Sequence, residues 1–326
     1  MKWMLEVDIK PPKMQITYDD KIFLIGSCFT EHIGKRLEDL KFPILQNPNG
    51  ILFDPLSVCT SLNSYVDQKT YVEEDLFFLH ELWQSWNHHS HFSGIDNIKV
   101  LEKINQSQRD AYQHLKKSNW LIITLGSSFS YQLIQNKQAV ANCHRAPAQW
   151  FQKHLLETKE TTEALKESIV KLQSLNPTLQ IIFTISPVRH IRDGVIENNR
   201  SKARLIEAVH SLVDEYENIY YFPAYEIAID VLRDYRFYDI DLVHPNYAAT
   251  EFVFEKFENS FIDTNARETM QEIRKIITAY RHKPFQPETK AHQSFLQTNF
   301  EKTKTLQLQM PHLDFSKEID FFSSKK

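Results

Sequence analysis

The sequence predicts an α/β fold, in which a central parallel sheet is covered by helices on both faces. Two observations predict it: short apolar runs that end at small or turn-forming residues, and amphipathic helical patterns that alternate with them. Runs that are apolar at every position suit parallel strands buried on both faces. Alternation of strand and helix indicates right-handed crossovers between parallel neighbours. With 326 residues, of which 42% are hydrophobic, the chain can build a large core.

The apolar runs define five predicted strands. They cover residues 21–25, 42–45, 120–125, 180–185 and 218–222. The first run ends at Gly26 and Ser27, and the third ends at Gly126, Ser127 and Ser128. Ligands of open parallel sheets bind outside the carboxyl ends of the strands. We therefore expect the functional site to lie among these strand-end residues.

Amphipathic patterns predict helices between and after these strands. They span residues 30–40, 55–64, 161–175, 201–216, 225–232 and 246–257, with apolar side chains three and four positions apart. The second helix begins with Asp54 as its N-cap and Pro55 in its first turn, which is a common start signal. These strands and helices together make up a domain that we place at residues 1–262.

Two stretches interrupt the alternation, and a third follows it. Residues 71–119 and 131–151 are predicted insertions, and insertions that follow strands usually build the site rather than the scaffold. Residues 263–326 are predicted to form a C-terminal helical extension, with an extended arm or a partly ordered tail from Pro284 onward. This extension offers a surface on which a second copy of the chain can pack, so we expect it to mediate any oligomer.

Composition narrows the class of protein. A net charge of −4 and a pI near 6.4 argue against a nucleic-acid partner. Three widely spaced cysteines form no disulfide framework, and no apolar run is long enough for a signal peptide or a membrane helix. We therefore expect a cytoplasmic protein with a small-molecule substrate, no membrane partner and no cofactor.

Ser27, Asp241 and His244 are the candidate catalytic residues. A nucleophilic serine needs a base that takes its proton. Asp241 precedes His244 by three residues, just before the last predicted helix, so one loop can present both side chains and the carboxylate can orient the imidazole. Structural roles are the alternative, with Ser27 as a helix cap and Asp241 capping its own turn. The combination of the two motifs favours catalysis.

Cys28 is a second candidate nucleophile beside Ser27. Successive residues that leave a strand point to opposite sides, so both side chains do not easily face one cleft. Buried free thiols commonly act as small hydrophobic groups. We therefore expect Ser27 to face the cleft and Cys28 to face the core.

Five motifs carry a resemblance to a known family: "GSCF", "NPNGILFDP", "SPVRH", "YFPAYE" and "DLVHP". Over about residues 20–260 they resemble the GSCFA domain family, within the SGNH (GDSL-like) hydrolase superfamily. The resemblance implies a flavodoxin-like three-layer α/β/α sandwich. It also implies a catalytic triad, with Ser27 as nucleophile, His244 as base and Asp241 as the carboxylate that orients it.

The resemblance also implies an oxyanion hole, and here the chain departs from the superfamily. The implied donors are the N–H groups of Ser27 and of Gly50, and an asparagine side chain after the third strand. The third-strand loop has no asparagine, and no aspartate separates Gly26 from Ser27. Asn49 or Ser127 can supply the missing donor, and losing one donor costs on the order of 100-fold in rate.

Ligand-binding residues are predicted in the two insertions and after the fourth strand. In the segment "WNHHSHFSG", Trp86, His88 and His91 are expected to line the cleft, where an aromatic surface with polar tips suits a sugar. Arg145 and Arg189 either bind an anionic group of the ligand or hold their loops through salt bridges.

Three functions remain from these observations. The preferred one is a serine hydrolase that acts on a small or carbohydrate O-acyl ester. The alternative is a non-catalytic or acyltransferase module that binds a sugar-type ligand in the same cleft. A metal-assisted hydrolase that uses His80, His88, His89 and His91 is third, because their spacing matches no zinc motif and no metal is expected.

Overall fold

A computed structural model describes residues 4–323 of the chain. The strands within those residues are β1 (Ile22–Gly26), β2 (Ile44–Gln46), β3 (Phe77–Leu79), β4 (Leu82–Gln84), β5 (Trp120–Leu125), β6 (Phe129–Leu133), β7 (Ala139–Val140), β8 (Phe151–Leu155), β9 (Gln180–Ile185) and β10 (Ile219–Phe222).

The helices begin and end as follows. They are α1 (Cys28–Asp39), α2 (Pro55–Val66), α3 (Asn97–Leu115), α4 (Thr158–Leu175), α5 (Gly194–Glu215), α6 (Ala224–Glu226), α7 (Tyr247–Phe261), α8 (Thr264–Arg281), α9 (Lys290–Gln309) and α10 (Ser316–Ser323). A π-helical turn, Ile227–Val231, continues α6. No helix among residues 4–323 is long and apolar enough to cross a membrane.

The central sheet has five strands in the order β10-β9-β5-β1-β2, and all of its neighbours are parallel. The predicted α/β fold is confirmed, and each of the five apolar runs forms one of these strands. The strand order is that of flavodoxin-like sheets. The chain runs outward from β1 to β2 and then returns to β5 on the other side of β1. This reversal opens a crevice at the carboxyl ends of β1 and β5, where such sheets bind ligands.

Two hydrophobic layers cover the sheet, because alternate side chains of each strand point to opposite faces. Leu24 of β1 joins the layer that contains α1, α7 and α8. Its neighbours Phe23 and Ile25 join the layer that contains α2, α4 and α5. The arrangement is that of a three-layer sandwich, and β1 lies at its centre.

The C-terminal extension consists mainly of the helices α8, α9 and α10 within its described length. The expectation of an extended arm from Pro284 onward is wrong, because α9 and α10 fold back onto the first hydrophobic layer. Leu306, Phe315 and Phe322 are buried in that layer, and Glu318 accepts hydrogen bonds from Lys41 at 2.8 and 3.0 Å. Apolar burial therefore orders this segment.

Both predicted insertions contain regular structure. The first holds the β3–β4 hairpin and the long helix α3, which packs on α2. The second forms a three-stranded antiparallel sheet in the order β7-β6-β8. The three cysteines, all within the described residues, are unpaired.

Candidate active site

A strained turn joins β1 to α1 at the crevice. Gly26 has φ +138°, and a Cβ at this position would lie 2.1 Å from the carbonyl oxygen of Thr124 on β5. The Gly26 N–H donates to Asn47 Oδ1 at 2.9 Å. Only glycine satisfies both the dihedral angle and the close approach of β5. The turn is therefore held rigidly against the neighbouring strand.

Ser27 is buried in this turn. Its backbone N–H donates to Thr124 O at 3.0 Å, and its side chain packs against Gly126, where an added Cβ would lie 3.2 Å from Ser27 Cβ. The residue is only 1% exposed, and its Oγ makes no hydrogen bond with any described residue, His244 included. The expectation that Ser27 faces the cleft is wrong for this conformation.

Cys28 differs from Ser27 in exposure. It is the first residue of α1 and is partly exposed, and its orientation towards the core stays a prediction. Burial raises the pKa of its thiol, and so does Glu31, whereas the ammonium of Lys202 and the first N–H groups of α1 lower it. Cys28 is thus the more exposed of the two residues, although its thiol is itself largely shielded from solvent.

Asp241 and His244 form a hydrogen-bonded pair in the loop before α7. Asp241 Oδ2 lies 2.6 Å from His244 Nδ1, and Oδ1 accepts from the N–H groups of Val243 and His244 at 2.9 and 3.0 Å. These hydrogen bonds, that of the His244 ring first, lower the pKa of Asp241 to about 2. An ionised Asp241 holds the proton on Nδ1, which leaves Nε2 as the basic nitrogen.

Arg189 ties this loop to the end of β9. Its N–H donates to Val243 O at 3.3 Å and its Nη1 donates to Leu242 O at 3.2 Å, while its guanidinium lies 4.1 Å from the ring centroid of Tyr238. It also lines a cavity of about 380 Å³ together with Asp241, Tyr225 and Tyr235, among others. Arg189 therefore positions the loop and faces the space beside the Asp–His pair.

The start of α7 lies beside the last turn of α1, which contains Arg36. Arg36 of α1 donates from Nη2 to Thr250 Oγ1 at 3.0 Å and lies 5.5 Å from the ring centroid of Tyr247. Burial and Arg36 lower the pKa of His32, and His244 lowers it further. His244 thus acts electrostatically on His32 of α1.

The predicted oxyanion donors all have acceptors within the protein. Ser27 N donates to Thr124 O at 3.0 Å, Gly50 N to Asn47 O at 2.7 Å, and Asn49 Nδ2 to Ser61 Oγ at 3.0 Å. Ser127 Oγ shares a hydrogen bond of 3.3 Å with Ser201 Oγ, in which either hydroxyl can donate. The oxyanion hole predicted from these four residues is therefore not open in this structure.

The predicted sugar surface is mostly buried. Trp86 stacks on Phe77 with ring centroids 3.6 Å apart, and His88 is fully buried, with its pKa lowered to about 3 by burial. The expectation that these two side chains line the cleft is wrong, because they pack inside the first insertion. His91 is exposed and lies against Gly50, where an added Cβ would be 3.2 Å from His91 Cε1.

Two comparisons with known proteins bear on this site. The model of the GSCFA family matches residues 21–257, which is more than half of the chain. The chain belongs to the GSCFA family. A second model, that of the GSCFA domain protein, C-terminal domain, matches residues 273–325. No curated protein matches the chain.

In this GSCFA chain the family match spans both halves of the site, the turn after β1 and the loop before α7. The remaining predicted residue, Arg145, is exposed on the second insertion and has φ +57°. Within residues 4–323, no group of three or more His, Cys, Asp or Glu side chains is arranged to hold a metal ion.

The GSCFA site also contains a lysine that sequence reasoning missed. Lys202 of α5 is 1% exposed, and its Nζ donates to Gly126 O and Ser186 O at 2.6 Å each. Burial lowers its pKa to about 7. Gly126 O also lies 3.1 Å from His190 Nε2. The sequence does contain a signal for its burial, because Lys202 lies on the same helical face as Leu205 and the other buried side chains of α5.

Proposed function

We propose that this GSCFA protein hydrolyses a small O-acyl ester, with His244 as the base and Asp241 as the carboxylate that orients it. The observation that carries the proposal is the 2.6 Å contact between Asp241 Oδ2 and His244 Nδ1 in the loop before α7. This reaction is typical of the SGNH (GDSL-like) hydrolase superfamily, which the sequence motifs resemble. That resemblance predicts Ser27 as the nucleophile, and its buried Oγ would first have to be uncovered.

The pair suits general base catalysis. Nε2 of His244 takes the proton of an attacking group in the β1–α1 turn and returns it to the leaving alcohol, and Asp241 stabilises the imidazolium that forms between the two steps. A second cycle with water releases the acid. Such proton transfer contributes about 10²–10⁴-fold to a rate.

The cavity beside Asp241 supports a small substrate. Its volume, about 380 Å³, accommodates a short acyl group with a modest alcohol, and Arg189 and Tyr235 supply polar contacts. The buried positions of Trp86 and His88 remove the stacking surface on which a sugar ligand was predicted. Acetylated sugars therefore serve here as test substrates, and short unactivated esters are the favoured class.

One observation favours the second candidate, a module that binds its ligand without turnover or passes the acyl group to another alcohol. The four predicted oxyanion donors are all engaged in internal hydrogen bonds. A site without an oxyanion hole binds an ester but stabilises the tetrahedral intermediate poorly.

Hydrolysis of p-nitrophenyl acetate and of acetylated monosaccharides tests the proposal. We expect His244→Ala to lower kcat by about 10²–10⁴-fold, because the general base is removed. Binding of the ester with no product supports the non-catalytic module, and transfer to added alcohol supports the acyltransferase.

A matched control is available elsewhere in the chain. His154 and Glu160 form another exposed pair, with Nε2 and Oε2 3.0 Å apart and both side chains about as exposed as those of His244 and Asp241. We expect His154→Ala to keep wild-type kcat. Equal rates for wild type and His244→Ala would overturn the proposed function.

A further inference from the structure

We infer that the cavity beside Asp241 binds an aliphatic chain of the ester, with a length of about four to eight carbons. The inference rests on the proposed function, because it names the substrate class of the same site. It starts from the lining of this cavity, whose volume is about 380 Å³. Four aliphatic side chains line it, those of Ile191, Val195, Ile229 and Leu242.

These four aliphatic residues come from four separate segments. Ile191 lies in a 3₁₀ turn after β9, Val195 in the first turn of α5, Ile229 in the π-helical turn that continues α6, and Leu242 in the loop before α7. They meet at one cavity only because the tertiary structure brings the segments together. The aliphatic wall is therefore a property of the fold and not the exposed face of a single helix.

Two of these segments have uncommon backbone conformations. Leu242 has φ +59°, which few residues other than glycine, asparagine and aspartate adopt. Arg189 Nη1 supports this conformation by donating to Leu242 O at 3.2 Å. The π-helical turn that carries Ile229 is also a rare element, and such turns occur frequently at functional sites. Strained backbone that the fold maintains is typical of ligand sites, and both segments direct an aliphatic side chain to the same cavity.

Much of the aliphatic wall is accessible to solvent. Ile191 is 54% exposed, Val195 is 61% exposed and Leu242 is 52% exposed. Grouped apolar side chains that face water mark binding sites, and a hydrocarbon chain that covers them removes apolar surface from water. A sugar fits this wall poorly, because its hydroxyls would lose water without gaining hydrogen bonds from aliphatic side chains.

The cavity also reaches the proposed catalytic pair. Asp241 is one of its lining residues, and Asp241 Oδ2 lies 2.6 Å from Nδ1 of His244. Arg189 lines the same cavity and supplies a cationic donor. An ester whose chain lies against the aliphatic wall can therefore place its carboxyl group among polar side chains, with Asp241 as one of them.

The volume of the cavity limits the length of the chain. About 380 Å³ is near the lower end of the range for small-molecule sites, roughly 300–1,000 Å³. A methylene group takes up about as much space as a water molecule in the liquid, ~30 Å³, so an eight-carbon chain fills about 240 Å³. The remaining space holds the ester group, and longer chains extend into solvent.

Two isomeric esters test the inference. Ethyl hexanoate carries its chain on the acyl side and hexyl acetate carries it on the alcohol side, while ethyl acetate is the short reference. We expect at least one isomer to exceed ethyl acetate in kcat/KM by about 30-fold or more, because each buried methylene contributes about fourfold. The isomer that gains identifies which side of the ester enters the cavity. Equal kcat/KM values for all three esters would overturn the inference.

Two wall substitutions test where the chain binds. Leu242→Asn removes an aliphatic side chain and places asparagine at a φ that this residue tolerates, and Val195→Asn changes the opposite segment. We expect each to lower the ratio of kcat/KM for the better isomer to that for ethyl acetate by about fivefold or more. Val170 of α4 is 57% exposed and does not line the cavity, so Val170→Asn should keep the wild-type ratio. Unchanged ratios in both wall variants would overturn the inference.

A binding measurement does not depend on turnover. N-ethylhexanamide and N-hexylacetamide have an N–H in place of the ester oxygen and resist hydrolysis, and N-ethylacetamide is the short reference. We expect isothermal titration calorimetry to show at least about tenfold tighter binding of one longer amide than of the short one. Leu242→Asn should remove most of this difference, whereas Val170→Asn should preserve it.

The two failures are distinguishable. If no ester is hydrolysed but a longer amide binds more tightly and loses this advantage in Leu242→Asn, the proposed function fails and the chain-binding cavity stands. If the three esters are hydrolysed with equal kcat/KM through His244 and the three amides bind equally, the inference fails and the proposed function stands.

Discussion

The turn after β1 and the loop before α7 are built in opposite ways. In the turn, residues 26–28, backbone hydrogen bonds to β5 and the strained Gly26 hold the chain against the sheet, and the Ser27 hydroxyl is buried. In the loop, Asp241 and His244 are each nearly half exposed and already paired. The loop is attached to the sheet through contacts of Arg189 with the backbone.

This difference shows which contacts fix the position of each half of the candidate site. The turn is positioned by the sheet, so a change there acts on folding as much as on chemistry. The loop is positioned by a few polar contacts, so a change there acts on chemistry with little effect on stability. Substitutions in the two regions should therefore separate stability from activity.

The largest effect is expected from Gly26→Ala. The added Cβ would lie 2.1 Å from Thr124 O, at a φ of +138°, so the variant should lose at least about 3 kcal/mol of unfolding free energy. Gly194→Ala is the control, since φ there is +83° but no atom lies within 4 Å of the new Cβ, and it should cost about 1 kcal/mol. Urea denaturation measures both, and equal losses would contradict the rigid turn.

Asp241→Asn should act on the rate alone. The amide cannot hold the proton on His244 Nδ1 as an ionised carboxylate does, so we expect kcat to fall by about 10²–10⁴-fold. Because the pKa of Asp241 is lowered to about 2, the wild-type pair persists as the pH falls towards that value. Glu160→Gln, in the second His–carboxylate pair, should keep the wild-type kcat. A large drop in melting temperature for Asp241→Asn would show that the loop is structural.

Lys202→Met should change how stability depends on pH. Burial lowers the pKa of Lys202 to about 7 in the folded protein, against 10.5 for an ordinary lysine. Between these values the unfolded chain holds a proton that the folded protein has released. The unfolding free energy therefore rises with pH, by up to about 1.4 kcal/mol per pH unit.

In the Lys202→Met variant, the unfolding free energy should not rise in this way between about pH 7 and pH 10.5. Its Gly126 and Ser186 carbonyls also lose their donor, so it should be less stable than wild type at the alkaline end. Lys159→Met, which removes an exposed lysine of α4, should keep the wild-type slope. Thermal melting as a function of pH measures the slopes, and parallel curves for wild type and Lys202→Met would refute the prediction.

The smallest effect is expected from Arg189→Gln. The variant loses the hydrogen bond to Leu242 O and the contact with Tyr238, but it keeps the backbone bond to Val243 O. We expect about a tenfold fall in kcat/KM and a loss of about 1 kcal/mol in unfolding free energy. Arg200→Gln, which breaks an exposed pair with Glu197, serves as the control. A full loss of activity would mean that Arg189 contacts the substrate directly.

The sheet could be predicted from the sequence because its signal is local. Each central strand is a continuous apolar run, and such runs suit strands that are buried on both faces. Helix α3 lies inside the first predicted insertion and is not among the predicted helices, although its buried positions recur at helical spacing. Helices α9 and α10 are stabilised by burial against the first hydrophobic layer. A local sequence pattern cannot predict such tertiary contacts.

The site could be predicted only in part, for a physical reason. The spacing of Asp241 and His244 placed both in one loop, and the structure pairs them. Which of Ser27 and Cys28 is exposed depends on the φ of Gly26, which is set by the approach of β5 from a distant part of the chain. The contacts of Lys202 with Gly126 and Ser186 likewise join three separate segments, so spacing along the chain could not reveal them.

The distance along the chain between the two halves of the site has a kinetic consequence. Residues 26–28 and 241–244 are separated by more than two hundred residues, and the Gly26 turn itself requires β5 to be in place. Closing such long loops is slow compared with forming local helices. The proposed esterase activity should therefore be among the last properties to return during refolding, after helical circular dichroism has recovered, and its return would mark the completion of the fold.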